Sequence, residues 1–432
     1  MILNARPQTK GAWFTNALVP AALTEGFALG ASDAGNGLAS FDFGITAEGR
    51  LTAERGDAKP VDLQGRMVLP TFVDSHVHFD KAYIVARTGI PDGGLMEAVR
   101  LSTADAGNWT AADLRARMTR ALTRAYHNGT SAMRTHLDTP VMPADSPAWQ
   151  VFCEMRRDWA GRVDLQAVAL MALERVEGPD FAERCQQIAD MGGILGAFIA
   201  PNTATPERLD SLFTCARAAG LDVDFHVDET LDPKANALEL ICDSILRSGF
   251  DGRVMAGHCC SLRSAAPADL ARITGKVARS GVHVVSLPHT NLFLQDRASG
   301  RTPALRGITA ARELAAAGAS IHFASDNVQD PFYPYGDFDM FDSFRMAVRA
   351  AHLDSDIAAW ALRQFRTAAK ACGFDHHGRL SAGASADLIL FDANNWTDLM
   401  SRPAQDRVVL RAGEPLPSQI FNLRDLFAME PS

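Results

Sequence analysis

The sequence predicts an α/β fold: a (β/α)8 TIM barrel carrying a small β-sandwich domain formed by the N- and C-terminal segments. Three observations predict it. A short apolar, β-branched run followed by an amphipathic helical stretch recurs eight times between Val68 and Asp326. Eight such units in roughly 250 residues suit a closed barrel better than an open doubly wound sheet. Each run also ends in polar residues, at the point where barrel strands meet the catalytic mouth.

In chain order, residues 1–67 read as short strands broken by Gly and Asn, the N-terminal part of the small domain. The barrel, residues 68–376, is built on MVLPTFVDSHVH, TSAMRTHLD, VDLQAVALMA, GGILGAFIA, DVDFHVDE, RVMAGHCC, HVVSLPHT and SIHFASD. Strands alternating with helices imply a parallel sheet. The segment DLRARMTRALTRAYHNG has helical periodicity and ends at Gly129, a stop signal. Residues 377–432 contain GRLSAGASADLILFDANNW, strand-like between turns, and supply the C-terminal part of the small domain. No internal repeat beyond this alternation and no low-complexity tract is visible.

Composition narrows the function. A formal charge of −9 argues against nucleic acid or an acidic membrane as partner. The seven cysteines have no C-x-x-C spacing, which suits a reducing compartment better than a disulfide framework. With no signal-peptide run and no stretch of 18 apolar residues, a cytoplasmic chain is expected. The expected partner is a small molecule, and the expected assembly a homo-oligomer.

The chemistry lies at the strand ends. His76 and His78 flank Val77, so strand alternation puts both imidazoles on one face, where they can grip a metal ion. Alone, the pair also fits two solvated loop histidines. The fifth run adds His226 and Glu229, the sixth His258 and the eighth Asp326, so separate strands send nitrogen and oxygen donors to one mouth. Glu229 alone could be a surface carboxylate. Cys259 and Cys260, beside His258, fit small buried residues better than a nucleophile or a soft metal site, since no third sulfur is nearby.

These residues sit in longer motifs: FVDSHVHFD, MRTHLD, VDLQAVA, HVDE, AGHCCS, NLFLQDR with RGIT, and SDNVQDPFYPYG. Over nearly the whole chain they resemble the amidohydrolase superfamily, in particular its cytosine deaminase branch. The resemblance implies that His76, His78, His226 and Asp326 bind one divalent ion, Zn2+ or Fe2+, with Mn2+ also suited to imidazole and carboxylate ligands. It implies that Glu229, His258 and Asp326 are catalytic: a metal-bound hydroxide attacks a ring carbon, and Glu229 carries the proton to the ring and the departing amine. GGILGAFIA offers no lysine of the kind that bridges two metals in binuclear relatives.

Departures from that branch bear on the substrate. Ala172 stands where cytosine deaminases carry a glutamine reader, and Asn327 stands where they carry a second aspartate. Lys81 and Asn327 together resemble more the N-isopropylammelide isopropylaminohydrolases of s-triazine breakdown; as a lone residue, Lys81 also fits an exposed loop. Phe332, in a proline-bounded segment, is expected against the substrate ring or packed in a surface turn, and Leu170 with Met171 as apolar wall. The expected reaction exchanges an exocyclic amino or alkylamino group of a cytosine-like pyrimidine or oxo-triazine for oxygen. Two other readings remain: hydrolysis of a cyclic amide, which adds a whole water to the product, and an inactive binding homologue, which the complete donor set disfavours.

Overall fold

Alternating apolar side chains in each of the eight runs bury one face inside the barrel and the other under helices, so every run becomes a strand. These are β1 Phe72–Val77, β2 Thr130–Asp138, β3 Asp164–Ala172, β4 Ile194–Phe198, β5 Val223–Val227, β6 Val254–His258, β7 His283–Ser286 and β8 Ser320–Phe323. The computed structural model describes residues 9–33, 36–401 and 407–417. In it β1 to β8 pair in parallel, each with the next in sequence.

The sheet comes round on itself just beyond β8. Val77 and Asp326 form a parallel bridge, the Asp326 N–H donates to the His76 carbonyl at 2.9 Å, and Ser75 Oγ meets His322 Nε2 at 2.7 Å. Asp74 accepts the backbone N–H and the hydroxyl of Ser325 across the same seam. The seam is therefore polar and buried, and it lies directly beneath the two histidines of β1.

Helices cover the outside. Ala111–His127 starts at Thr110, whose side chain accepts the Asp113 N–H, and it buries Leu114, Met118, Ala121, Leu122 and Ala125 at helical spacing. Each such side chain taken from water contributes up to about 1.5–3 kcal/mol, Ala less. The helix stops at Gly129, where φ is 92° and an added Cβ would lie 2.5 Å from Ile389 Cδ1. Only glycine meets both demands.

The two ends of the chain share one nine-stranded sheet. Trp13–Pro20 pairs antiparallel with Leu38–Ile45, and Met67–Pro70 pairs antiparallel with Leu388–Phe391, next to Arg407–Arg411. Phe14, Phe41, Phe43, Val68, Leu388 and Leu410 form its core. The run MVLPTFVDSHVH is thus two strands: its first part belongs to the terminal sheet and its second is β1, with Thr71 between them.

Candidate active site

His76 and His78 leave β1 on one face, His226 leaves β5, and Asp326 follows β8. Their side chains are 0–6% exposed and meet at one point. His226 Nε2 lies 3.2 Å from both His76 Nε2 and His78 Nε2, and Asp326 Oδ1 lies 3.6 and 3.3 Å from the same two nitrogens. Ligand atoms bound tetrahedrally at about 2.0–2.2 Å from one ion stand about 3.3–3.6 Å apart, so the cluster has the span of a single cation. Burial holds the three imidazoles far below their usual pKa, leaving neutral nitrogens with free lone pairs. Burial also raises Asp326, and both of its oxygens lack a hydrogen-bond partner. A buried carboxylate oxygen without a donor is costly unless a cation supplies the charge. These residues fit a divalent metal.

Glu229 and His258 stand beside this cluster. In HVDE, Asp228 accepts the backbone N–H groups of Ala237 and Leu238, capping the next helix, while the Glu229 side chain is 6% exposed with Oε1 unpartnered. Burial, then the charge of Asp326, pushes the Glu229 carboxyl well above its ordinary value, which favours its protonated form. His258 is pushed down to about 4 by burial. Asn291 Nδ2 lies 3.0 Å from His258 Nδ1; when the amide donates there, the ring hydrogen sits on Nε2, which has no other partner. Asp228, His258 and Asp326 all take left-handed backbone angles, φ 50°, 70° and 64°. Such strain, of order 1 kcal/mol or more per residue, is held where the site needs these side chains aimed. Cys259 and Cys260 are fully buried, and burial raises both thiols well above their usual range.

A cavity of about 580 Å3 opens over these groups. Lys81, Leu170, Ala172, Asn327 and Phe332 all line it, with His78, His226, Glu229 and His258 at its floor. Lys81 is buried, not exposed: Nζ donates to Asp138 Oδ1 at 2.7 Å and lies 5.4 Å from the centre of the Phe332 ring. Burial works against its charge, but Asp138 and Asp80 outweigh it and hold the ammonium above the ordinary lysine pKa. Leu170 is buried and Ala172 exposed at the end of β3. Much of the remaining wall is apolar, including Leu95, Val99, Trp109 and Val141, with Asp138, Thr139 and Arg175 among its polar members. The Asp330–Pro334 turn is pinned by Asp330 Oδ1, which accepts the N–H groups of Phe332 and Tyr333.

Sequence reasoning missed three residues. His136, fully buried on β2, stacks 3.9 Å from the His76 ring and sets Nε2 3.2 Å from Asp224 Oδ1, while Arg134 holds the other oxygen at 3.0 Å. His76, His78 and His136 form one converging trio of donors; His76, His226 and His258 form another. Asp138, on the same strand, lines the cavity. Both belong to THLD, whose polar end carried the same strand-end signal as HVH. Asn291 opens the NLFLQDR motif, but only the fold brings it to His258.

The barrel, the donor cluster and the buried carboxyl of Glu229 beside it are those of an amidohydrolase. Residues 195–416 match the family described as "Amidohydrolase family", and the chain belongs to it, as a hydrolase of carbon–nitrogen bonds other than peptide bonds and a deaminase. It is 42% identical over 421 residues to a pterin deaminase of Rhizobium rhizogenes, the match covering 95% of each chain. An N-isopropylammelide isopropyl amidohydrolase of a Pseudomonas species is 22% identical over 367 residues, covering 82% of this chain and 87% of that one. The crystal structure of 5-methylcytosine deaminase from Klebsiella pneumoniae, liganded with 5-fluorocytosine, matches with a TM-score of 0.79 over 95% of this chain and 98% of that one. At 24% identity, that likeness speaks for the fold. Among the described residues no helix is long and apolar enough to cross a membrane.

Proposed function

We propose that this chain removes the exocyclic amino group of a pterin-type ring, a bicyclic 2-amino-4-oxo heterocycle, as ammonia. The single observation that carries a deaminase mechanism is Glu229, a buried carboxyl in the lining of the cavity beside the metal-type donors, its pKa raised by burial and by Asp326. The 42% identity to a pterin deaminase supports the bicyclic ring over the single pyrimidine or triazine rings expected from sequence. So does an apolar wall that reaches past the floor residues to Leu95 and Trp109.

His76, His78, His226 and Asp326 would hold one divalent ion, zinc, iron(II) or manganese, which when bound supplies Lewis acidity and makes water nucleophilic at neutral pH. Asp326 takes the proton of the attacking water at its free oxygen. His258, through Nε2–H, orients that water and faces the oxygen as negative charge develops on it. Glu229 delivers its proton to the ring nitrogen next to the attacked carbon. The proton held at Asp326 then passes to the amine, the carbon–nitrogen bond breaks and ammonia leaves, while the former water oxygen gives its remaining proton back to Glu229 and becomes the oxo group of the product. Lys81 and Asn327 hold the ring's polar edge, and Phe332, Leu170 and Ala172 bound its faces.

The test is ammonia release from metal-replete protein with 2-amino-4-oxopteridine, cytosine and ammelide derivatives. The pteridine is expected to have the highest kcat/KM. Turnover confined to single rings would overturn the pterin reading, and a product heavier by a whole water, without ammonia, would favour cyclic amide hydrolysis.

A further inference from the structure

We infer that Asp330 locks the side-chain amide of Asn327 with its oxygen facing the cavity, so that the site selects a ring carrying an N–H beside its oxo group. The inference rests on the deaminase reading above and assigns what the pocket reads.

Asn327 is 4% exposed and forms part of the cavity wall. Its Nδ2 donates to Asp330 Oδ2 at 2.7 Å. Asp330 is fully buried, and its other oxygen is occupied by the N–H groups of Phe332 and Tyr333 at 2.8 and 3.0 Å. An ionised carboxylate only accepts hydrogen bonds, so it can face the NH2 end of the amide and not the oxygen end. Turning the amide over would set two oxygens against each other at hydrogen-bond distance, with no water to relieve them. Asn327, whose amide could in isolation be turned either way, therefore has its NH2 end held at Asp330 and its oxygen as the end left for the ring. In that respect it matches an aspartate without bringing a second negative charge beside Asp326.

Lys81 faces the same cavity as a fixed donor, its ammonium next to Phe332. A donor and an acceptor on one wall complement a lactam edge, C=O followed by N–H. A ring with a bare nitrogen or a C–H at that position leaves the Asn327 oxygen unpaired in a dry wall, a loss of about 10- to 100-fold in affinity. Asp330 is a positioning residue here, since it touches the amide and not the ring. Burial raises its carboxyl to about 7, against the pull of its three donors and of Lys81, so the test is run where it is ionised, at about pH 8.5.

The ligands are pteridin-4(3H)-one, which carries N3–H beside its oxo group, and its 3-deaza analogue, in which a planar C–H takes the place of that N–H. Titration calorimetry on metal-replete protein gives both Kd values without turnover. The wild type is expected to prefer the N–H ligand by about 10- to 100-fold. Asn327→Leu should bring the ratio within about threefold, and Asp330→Asn, whose amide can donate to the Asn327 oxygen and free its NH2 for the cavity, should cut it about tenfold or more. A merely structural role for Asp330 would weaken both ligands alike and leave the ratio unchanged. An unchanged ratio in Asp330→Asn, or equal binding of the two ligands by the wild type, overturns the inference. If neither pteridine binds, the pterin reading falls, and the same N–H/C–H pair built on whichever ring is turned over decides the matter; a turned-over ring with no N–H beside an oxo group also overturns it.

Discussion

Replacing Glu229 by Gln separates catalysis from stability. The carboxyl is 6% exposed, and burial and Asp326 raise its pKa well above the ordinary value, favouring the neutral form, a group of nearly the same shape as Gln. The amide keeps the volume and the hydrogen-bonding capacity toward His258, whose Nδ1 lies 3.4 Å from Oε1. It cannot release a proton. Losing a positioned general acid costs about 10²–10⁴ in rate, or about 3–5 kcal/mol of barrier. The variant should therefore lose that factor in kcat while its melting temperature moves by no more than about 2 °C. Steady-state ammonia release and scanning calorimetry on the same metal-replete preparation measure both. Wild-type kcat should also fall as pH rises through the raised pKa of Glu229, because the proton to be delivered is then gone. A kcat within about threefold of wild type would refute the assignment. So would a loss of about 3–5 kcal/mol in stability, the mark of a broken buried ion pair with His258.

Adding a divalent ion to chelator-treated protein should raise its melting temperature, by the equivalent of about 4 kcal/mol at a thousandfold excess over Kd, and His226→Ala should abolish both that rise and bound metal measured by elemental analysis. Burial raises Asp74 to about 7 although the Ser325 hydroxyl and N–H oppose it, so the folded chain keeps a proton that the unfolded chain sheds near 3.9. The resulting stability is fully present below about pH 3.9 and is lost as pH rises through about 7; Asp74→Asn should remove a slope of roughly 2–3 kcal/mol between about pH 5 and about pH 8 in denaturant titrations. Arg117 donates to the carbonyls of Asp80 and Ala82, on either side of Lys81, and is braced by Asp113. Arg117→Met should cost about 2 kcal/mol or more and raise KM more than it lowers kcat, as measured by steady-state kinetics beside chemical denaturation.

The parts legible in sequence were those written locally. Alternation inside HVH and the polar ends of DFHVDE and FASD mark residues that must share the barrel mouth once strands repeat in order, so the donor cluster could be listed before its geometry was known. Lys81 could be named but not weighed: exposed lysines are the rule, and only the fold sets Asp138 and Asp80 against it. The break at Thr71 was missed because MVLP and FVD read as one continuous strand-forming run, and the partner that captures the first part, Leu388–Phe391, is far away in sequence. His136 was passed over although THLD carries a polar strand end, because it has no second histidine two residues away as His76 and His78 have. Its meaning comes from Asp224 and Arg134, contributed by β5 and by its own strand. The polarity of Asn327 depends on Asp330, three residues on but turned back by two backbone hydrogen bonds. Sequence shows such residues and conceals the direction in which each one points.

The sheet shared by the two ends sets an order on biosynthesis. Met67–Pro70 leaves the ribosome as an unpaired edge, and the strand that covers it, Leu388–Phe391, is made about 320 residues later, roughly 15–60 s at ordinary elongation rates. The barrel can assemble during that wait, but the nascent chain carries an adhesive flank until Leu388–Phe391 emerges. Folding thus finishes where it began, and a message cut short before residue 388 yields a polypeptide with an open edge ready to seize its neighbours.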